Sequence, residues 1–129
     1  MIIKKTLLAI TLALSSMAAS AAWEKAAAND TQALYIDRSS IRKSGNMAKM
    51  WAMTDLNKPL IIANESALST KRQDEYDCKR ERLRTVFFAF YSDHMGGGET
   101  LISNPKALDW APVAPGTMSQ SLWEAACKG

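Results

Sequence analysis

Arg80, Arg82 and Arg84 recur at every second position of the segment EYDCKRERLRTVFFAFYSDHMGGG, residues 75–98. Alternate side chains of a β-strand share a face, so three guanidinium groups would stand about 6.5 to 7 Å apart. That spacing could grip the sulfate or phosphate groups of a polyanion such as a glycosaminoglycan. Asp74, Glu75, Asp77 and Glu81 surround the same run, and local ion pairs with them would commit the arginines to the scaffold. The stripe is therefore a candidate polyanion or partner contact carried on a structural strand.

Other constellations carry less. Met47, Met50 and Met53 offer thioethers of the kind that suit Cu(I) in exported proteins. On a strand Met50 points away from the other two, which dismantles the site and leaves core packing beside Trp51. His94 and Met95 are residue types that ligate haem iron, but two neighbours in a turn cannot reach opposite faces of one iron. A single histidine leaves no zinc triad and only a turn-borne base for a serine nucleophile. Asp74, Glu75 and Asp77 could supply a carboxylate pair, yet in a charged strand approach they are ordinary. No catalytic residue, metal site, cofactor or nucleic-acid partner is expected.

The elements that position these residues begin with the compartment. Lys4 and Lys5 precede the apolar run from Thr6 to Leu14, and Ala19-Ser20-Ala21 supplies small residues for cleavage, the pattern of a signal peptide over residues 1–22. The apolar run is too short to span a bilayer and no second one follows. No cysteine lies at the cleavage region, so the expectation is a free protein without a lipid anchor, in the periplasm or outside the cell. The 16 basic residues against 13 acidic ones become 14 against 13 once Lys4 and Lys5 are removed, and the formal charge falls from +3 to +1. A mature chain of about 107 residues suits a single domain, residues 23–129, with one modest core.

Cys78 and Cys127 are the two cysteines, and export places them where disulfides form and persist. A bridge between them closes a loop of about 50 residues, for which the chain-entropy model gives roughly 4 kcal/mol. The punctuation of the chain reads as an antiparallel meander. Trp23–Asn29 and Thr31–Asp37 are parted by an Asn-Asp break, and Asp37-Arg38-Ser39-Ser40 reads as a turn. Ser44-Gly45-Asn46 signals a hairpin before a longer strand from Met47 to Leu56. Pro59 interrupts, and a polar segment around residues 64–66 leads into Ala67–Asp77. Cys78–Ser92 reads as one strand whose second half, Val86–Tyr91, apolar on both faces, should be central and doubly covered, with a helix on one side; a bulge would swap its faces. Gly96-Gly97-Gly98 forms the next turn, before Glu99–Ser103. Asn104–Gly116, with three prolines, reads as an irregular loop. Thr117-Met118-Ser119-Gln120 fits a capping box, and the helix beyond it places Met118, Leu122, Trp123, Ala125, Ala126 and Cys127 on one apolar arc.

The spacing of Tyr35-Ile36-Asp37, Ile41, Trp51, Glu75-Tyr76-Asp77-Cys78, Arg84, Tyr91, Met95-Gly96, Trp110, Pro115-Gly116 and Cys127 resembles the surface-adhesin protein E family. The resemblance implies an α+β fold, an antiparallel sheet of about six strands with a C-terminal helix held against its concave face by the disulfide. It also implies a non-enzymatic adhesin that binds host extracellular-matrix or serum proteins. The expected partner is accordingly an extracellular protein or polysaccharide, with a homodimer as an admissible assembly. The family's namesake is lipid-anchored, and without an anchoring cysteine the alternative is a periplasmic structural or assembly protein acting with bacterial envelope partners.

Overall fold

The computed structural model describes residues 22–129, so the expected signal peptide lies outside the described residues but for Ala22. Six strands form an antiparallel meander in chain order: β1 (Glu24–Ala28), β2 (Gln32–Ser44), β3 (Met47–Ile62), β4 (Glu65–Asp77), β5 (Arg82–Tyr91) and β6 (Thr100–Asn104). A two-residue strand, β7 (Ala111–Pro112), pairs with Arg82 and Leu83 on the edge of β5 that β6 uses further along. The chain closes with helix α1 (Met118–Lys128). No helix among the described residues is long and apolar enough to cross a membrane.

Local chemistry makes the turns. Asn29 Oδ1 accepts the N–H groups of Thr31 and Gln32 and reverses the chain between β1 and β2. Gly45 opens the Gly45-Asn46 hairpin loop at φ +58°, a conformation that a Cβ disfavours. Ala63 and Asn64, both at positive φ, close the β3–β4 hairpin, a tight turn in place of the polar segment read across residues 64–66.

Two expected breaks are bulges inside continuous strands. Residues 38–41 bow out opposite Met50, between the pairs Asp37↔Trp51 and Arg42↔Lys49. The bow is held by Asp37 Oδ1, which accepts from the Ser39 N–H, and by the Ser40 hydroxyl, which donates to Asp37 O and accepts from Trp51 N–H. Pro59 likewise sits in an irregular stretch between the pairs Asp55↔Ser69 and Leu60↔Ala67. A residue without an N–H can stay in a sheet at such a point, so β3 runs on to Ile62.

The stretch read as one strand from Cys78 to Ser92 divides. Cys78–Glu81 is a turn, with Glu81 at φ +50°, and β5 starts at Arg82. Asp77 makes the turn, its Oδ1 accepting from the N–H groups of Lys79 and Arg80. Further along, Asp74 pairs with Thr85 and Gln73 with Phe87, leaving Val86 as an extra residue. That bulge does swap the faces of β5. Before it Leu83 and Thr85 share a face with the helix; after it Phe88 and Phe90 do. The apolar half of β5 is not doubly covered: Phe87, Phe88, Phe90 and Tyr91 all stay half-buried, because Leu83, before the bulge, is the apolar β5 residue that packs against the helix-side core.

The helix lies over β1 to β4. Its Leu122, Trp123, Ala125 and Ala126 meet Leu34 and Ile36 of β2, Ala48, Met50 and Ala52 of β3 and Tyr76 of β4. Alanine at Ala48, Ala52, Ala125 and Ala126 keeps side-chain bulk low where helix and sheet approach. An undocked helix of this length is marginal in water, whereas full burial of a side chain such as Leu122 contributes about 1.5 to 3 kcal/mol. Docking is fixed at both ends. Thr117 Oγ1 accepts the Gln120 N–H and Gln120 Oε1 accepts the Gly116 N–H, the expected capping exchange reaching one residue further back. At the other end Cys127 is bonded to Cys78, with Cα atoms 5.5 Å apart, and the buried Trp123 indole N–H donates to Asp77 O at 3.0 Å.

Beside this core Asp74 is fully buried. It accepts from the hydroxyls of Thr85 at 2.7 Å and Tyr76 at 3.2 Å, and Arg72 Nε lies 2.9 Å from its Oδ2 without the alignment of a hydrogen bond. Burial, and then the Asp74 charge, push the Tyr76 phenol well above its ordinary range, so it remains a donor.

Cys78→Ser and Cys127→Ser should each lower stability by about 2 to 5 kcal/mol. In urea or thermal melts the double variant should be little worse than either single one, since both changes break the same bond. Additive losses would contradict the staple.

Asp77 supplies a pH signature. Burial raises its pKa, but the Arg80 N–H, the Arg82 guanidinium and the Lys79 N–H outweigh it, and the net shift is downward. A depressed carboxylate contributes stability above its unfolded pKa, about 3.9, and loses that contribution as pH falls through the folded value. Asp77→Asn keeps an acceptor for the turn and loses the charge. Its urea midpoint should lie below that of the parent at pH 6, with the gap closing as both are taken below pH 3.

Candidate binding surface

The face of the sheet away from α1 can be read row by row from the strand register. Nearest the β2–β3 hairpin, Met47, Asp77 and Arg82 lie abreast; the next row is Arg42, Lys49, Glu75 and Arg84. Asp37, Trp51, Gln73 and Phe87 follow, then Tyr35, Met53, Lys71 and Ala89. Basic residues thus occupy one end of this face and aromatic residues the middle.

At the basic end two of the three arginines read from the sequence stand together. Arg82 Nε donates to Asp77 Oδ2 at 3.0 Å, and Arg84 donates to Glu75 Oε1 through Nε and Nη2. Each remains about a third exposed. Arg80 does not join them: it sits in the turn after β4 and is exposed, so the three-residue stripe is corrected to a pair. The loop leading into β7 adds Trp110, whose ring centroid lies 4.5 Å from the Arg82 guanidinium carbon and 4.7 Å from that of Arg84. Stacking and ion pairing hold both planes in place. Arg42 and Lys49 complete the patch across the strands. Four cations therefore face two carboxylates, and local pairing accounts for only part of the charge.

The middle of the face is a cleft of about 420 Å³ lined by Trp23, Asp37, Trp51, Lys71, Phe87 and Tyr91. Trp51 and Phe87 meet edge to face, 5.4 Å between centroids. Lys71 Nζ stands 5.3 Å from the Tyr91 ring centroid and 5.9 Å from that of Trp23.

The far end of the face is closed by the segment between β5 and β6. A 3-10 turn, His94–Gly96, folds back over β3 and β4 where a plain glycine turn was the expectation. Asp55 Oδ1 accepts the Met95 N–H at 2.9 Å and lies 3.1 Å from His94 Nδ1, while Ser69 Oγ accepts the Gly96 N–H. A Cβ on Gly96 would collide with the Lys71 side chain. His94 is thus tied to a carboxylate of the sheet, and Met53 is buried on this face while Met50 lies in the core under α1. The three methionines do not converge.

Sequence reading finds Arg82 and Arg84 by alternation within one strand. It misses Arg42, Lys49, Trp110 and the cleft because these depend on the bulges at 38–41 and Val86 and on the course of a proline-rich loop.

Comparison with known proteins places this geometry. The solved structure of Haemophilus influenzae protein E in crystal form II is similar at 21% identity, with a TM-score of 0.68 over 84% of this chain and 89% of that one. A second structure of the same protein gives 20% identity and a TM-score of 0.65 over 84% and 86%. One from a non-typeable strain gives 20% and 0.64 over 84% and 77%. At these identities the likeness is one of fold. No curated protein matches by sequence. The family model for surface-adhesin protein E matches residues 23–128, and the chain belongs to the surface-adhesin protein E family.

Proposed function

We propose that this protein is an exported, non-enzymatic binding module that engages an extracellular protein or polysaccharide bearing clustered anionic groups. The observation that carries the reading is the cross-strand row Arg42, Lys49, Glu75 and Arg84, with Arg82 and Trp110 beside it. Membership of a surface-adhesin family supports export and binding. The Arg82 and Arg84 planes are already held by carboxylates and an indole, and Arg42 Nη1 donates to Ser39 O and Ile41 O, so a ligand would meet donors that lose little freedom on binding. Their remaining N–H groups suit sulfate or carboxylate oxygens. A mature charge near +1 supplies little long-range steering, so recognition would rest on contact with this patch.

The mature protein should be retained on heparin and released by added salt, because displaced counterions make such binding salt-dependent. Replacing Arg42, Lys49 and Arg84 together by Gln should move elution to clearly lower salt with the thermal midpoint little changed. Arg80→Gln should shift it less. Unchanged elution of the triple variant would remove the patch from the reading.

Localisation separates an adhesin from an envelope assembly protein. Antibody labelling of intact cells is the expected result. Recovery solely in osmotic-shock fluid, with no surface labelling, would favour a periplasmic role with bacterial partners.

A further inference from the structure

The aromatic cleft adjoins the basic row, but its lining residues and its chemistry are different. Its walls are the half-buried rings of Trp23, Trp51, Phe87 and Tyr91. At its base Asp37 is only 7% exposed. Asp37 Oδ1 accepts from the N–H and hydroxyl of Ser39, which leaves Oδ2 as the acceptor a ligand would meet. Lys71 supplies the donor at the rim. The volume falls within the range of small-ligand sites, and the make-up is the usual one of apolar walls with a few placed polar groups.

Three ligand classes can be weighed against these residues. A cation would seek the ring faces and Asp37, but the Lys71 ammonium already stands over Tyr91 and Trp23 and would repel it. A polyanion would meet the buried Asp37 carboxylate. A neutral pyranose meets neither obstacle: its C–H face can lie on an aromatic ring, and its hydroxyl edge can donate to Asp37 and accept from Lys71. The geometry points to a neutral saccharide as the ligand of the Trp23, Trp51, Phe87 and Tyr91 cleft.

This assignment rests on reading the protein as a binding module, and the two can fail separately because they use different residues. Loss of heparin retention with cleft binding intact would strike the basic row alone.

The test is a titration of the 15N-labelled mature protein with maltotriose, cellotriose and triacetylchitotriose, following the indole N–H signals of its four tryptophans, Trp23, Trp51, Trp110 and Trp123. At least one sugar should shift Trp23 and Trp51 while leaving buried Trp123 in place. Phe87→Leu and Tyr91→Ala should each weaken that binding about tenfold, the loss of a single aromatic contact, with heparin elution unchanged. Neutral O-antigen oligosaccharides and desialylated glycoprotein glycans then separate a bacterial from a host source of the same chemistry. No shift with any of the three sugars at millimolar concentration, shifts confined to Trp110, or undiminished binding by both variants would overturn the assignment. Should a variant fail to fold, the indole map of the parent protein decides alone.

Discussion

The architecture depends on one short stretch, Asp77-Cys78, where a strand ends and a helix is tied down. The Asp77 carbonyl receives the Trp123 indole, its carboxylate shapes the 78–81 turn and orients Arg82, and Cys78 carries the covalent link to Cys127. Without these contacts α1 is a short amphipathic segment of marginal stability, and the apolar residues of β2 and β3 lose their cover. A thin two-layer fold with one helix has little apolar area to spare, so cross-linking compensates for a small core.

The same stretch links scaffold and surface. Arg82 is anchored by a carboxylate of the helix-binding turn, and β7 lies alongside Arg82 and Leu83, which brings Trp110 to the guanidinium groups. The side of the sheet that faces outward is therefore ordered by contacts that also close the other side. The buried Asp74 cluster plays a comparable part within the core. Its acceptors are filled by Tyr76 of the same strand and Thr85 of β5, and the bond to Thr85 fixes the pairing of β4 with β5.

Much of this was legible in the residues. The capping signal at Thr117 and Gln120, the apolar arc of Leu122, Trp123 and Ala126, and the pairing of Cys78 with Cys127 all depend on local periodicity or on a cysteine count of two, and the structure carries each of them. Pro59 and the Asp37–Ser40 run were misread as strand ends because local turn chemistry is the same in a bulge as in a reversal; only the partner strand, Met47–Ile62 against both neighbours, distinguishes them. The cover over Val86–Tyr91 was misread for a related reason. A run apolar on both faces signals burial between two layers, but here aromatic rings border a cleft instead. Arg80 was lost to the stripe because Asp77 draws the backbone of the next residues into a turn, an effect of one side chain that alternation does not register.

The extra residue at Val86 has a consequence for how such a protein can diversify. Because it shifts the phase of side-chain alternation midway along β5, the segment that answers to the helix and the segment that borders the cleft obey separate packing rules. Substitutions at Phe87 or Tyr91 can therefore reshape the cleft without forcing compensating changes at Leu83. A single strand then serves as two modules joined by a phase slip, one committed to the helix-side packing through Leu83 and one bordering the cleft through Phe87 and Tyr91.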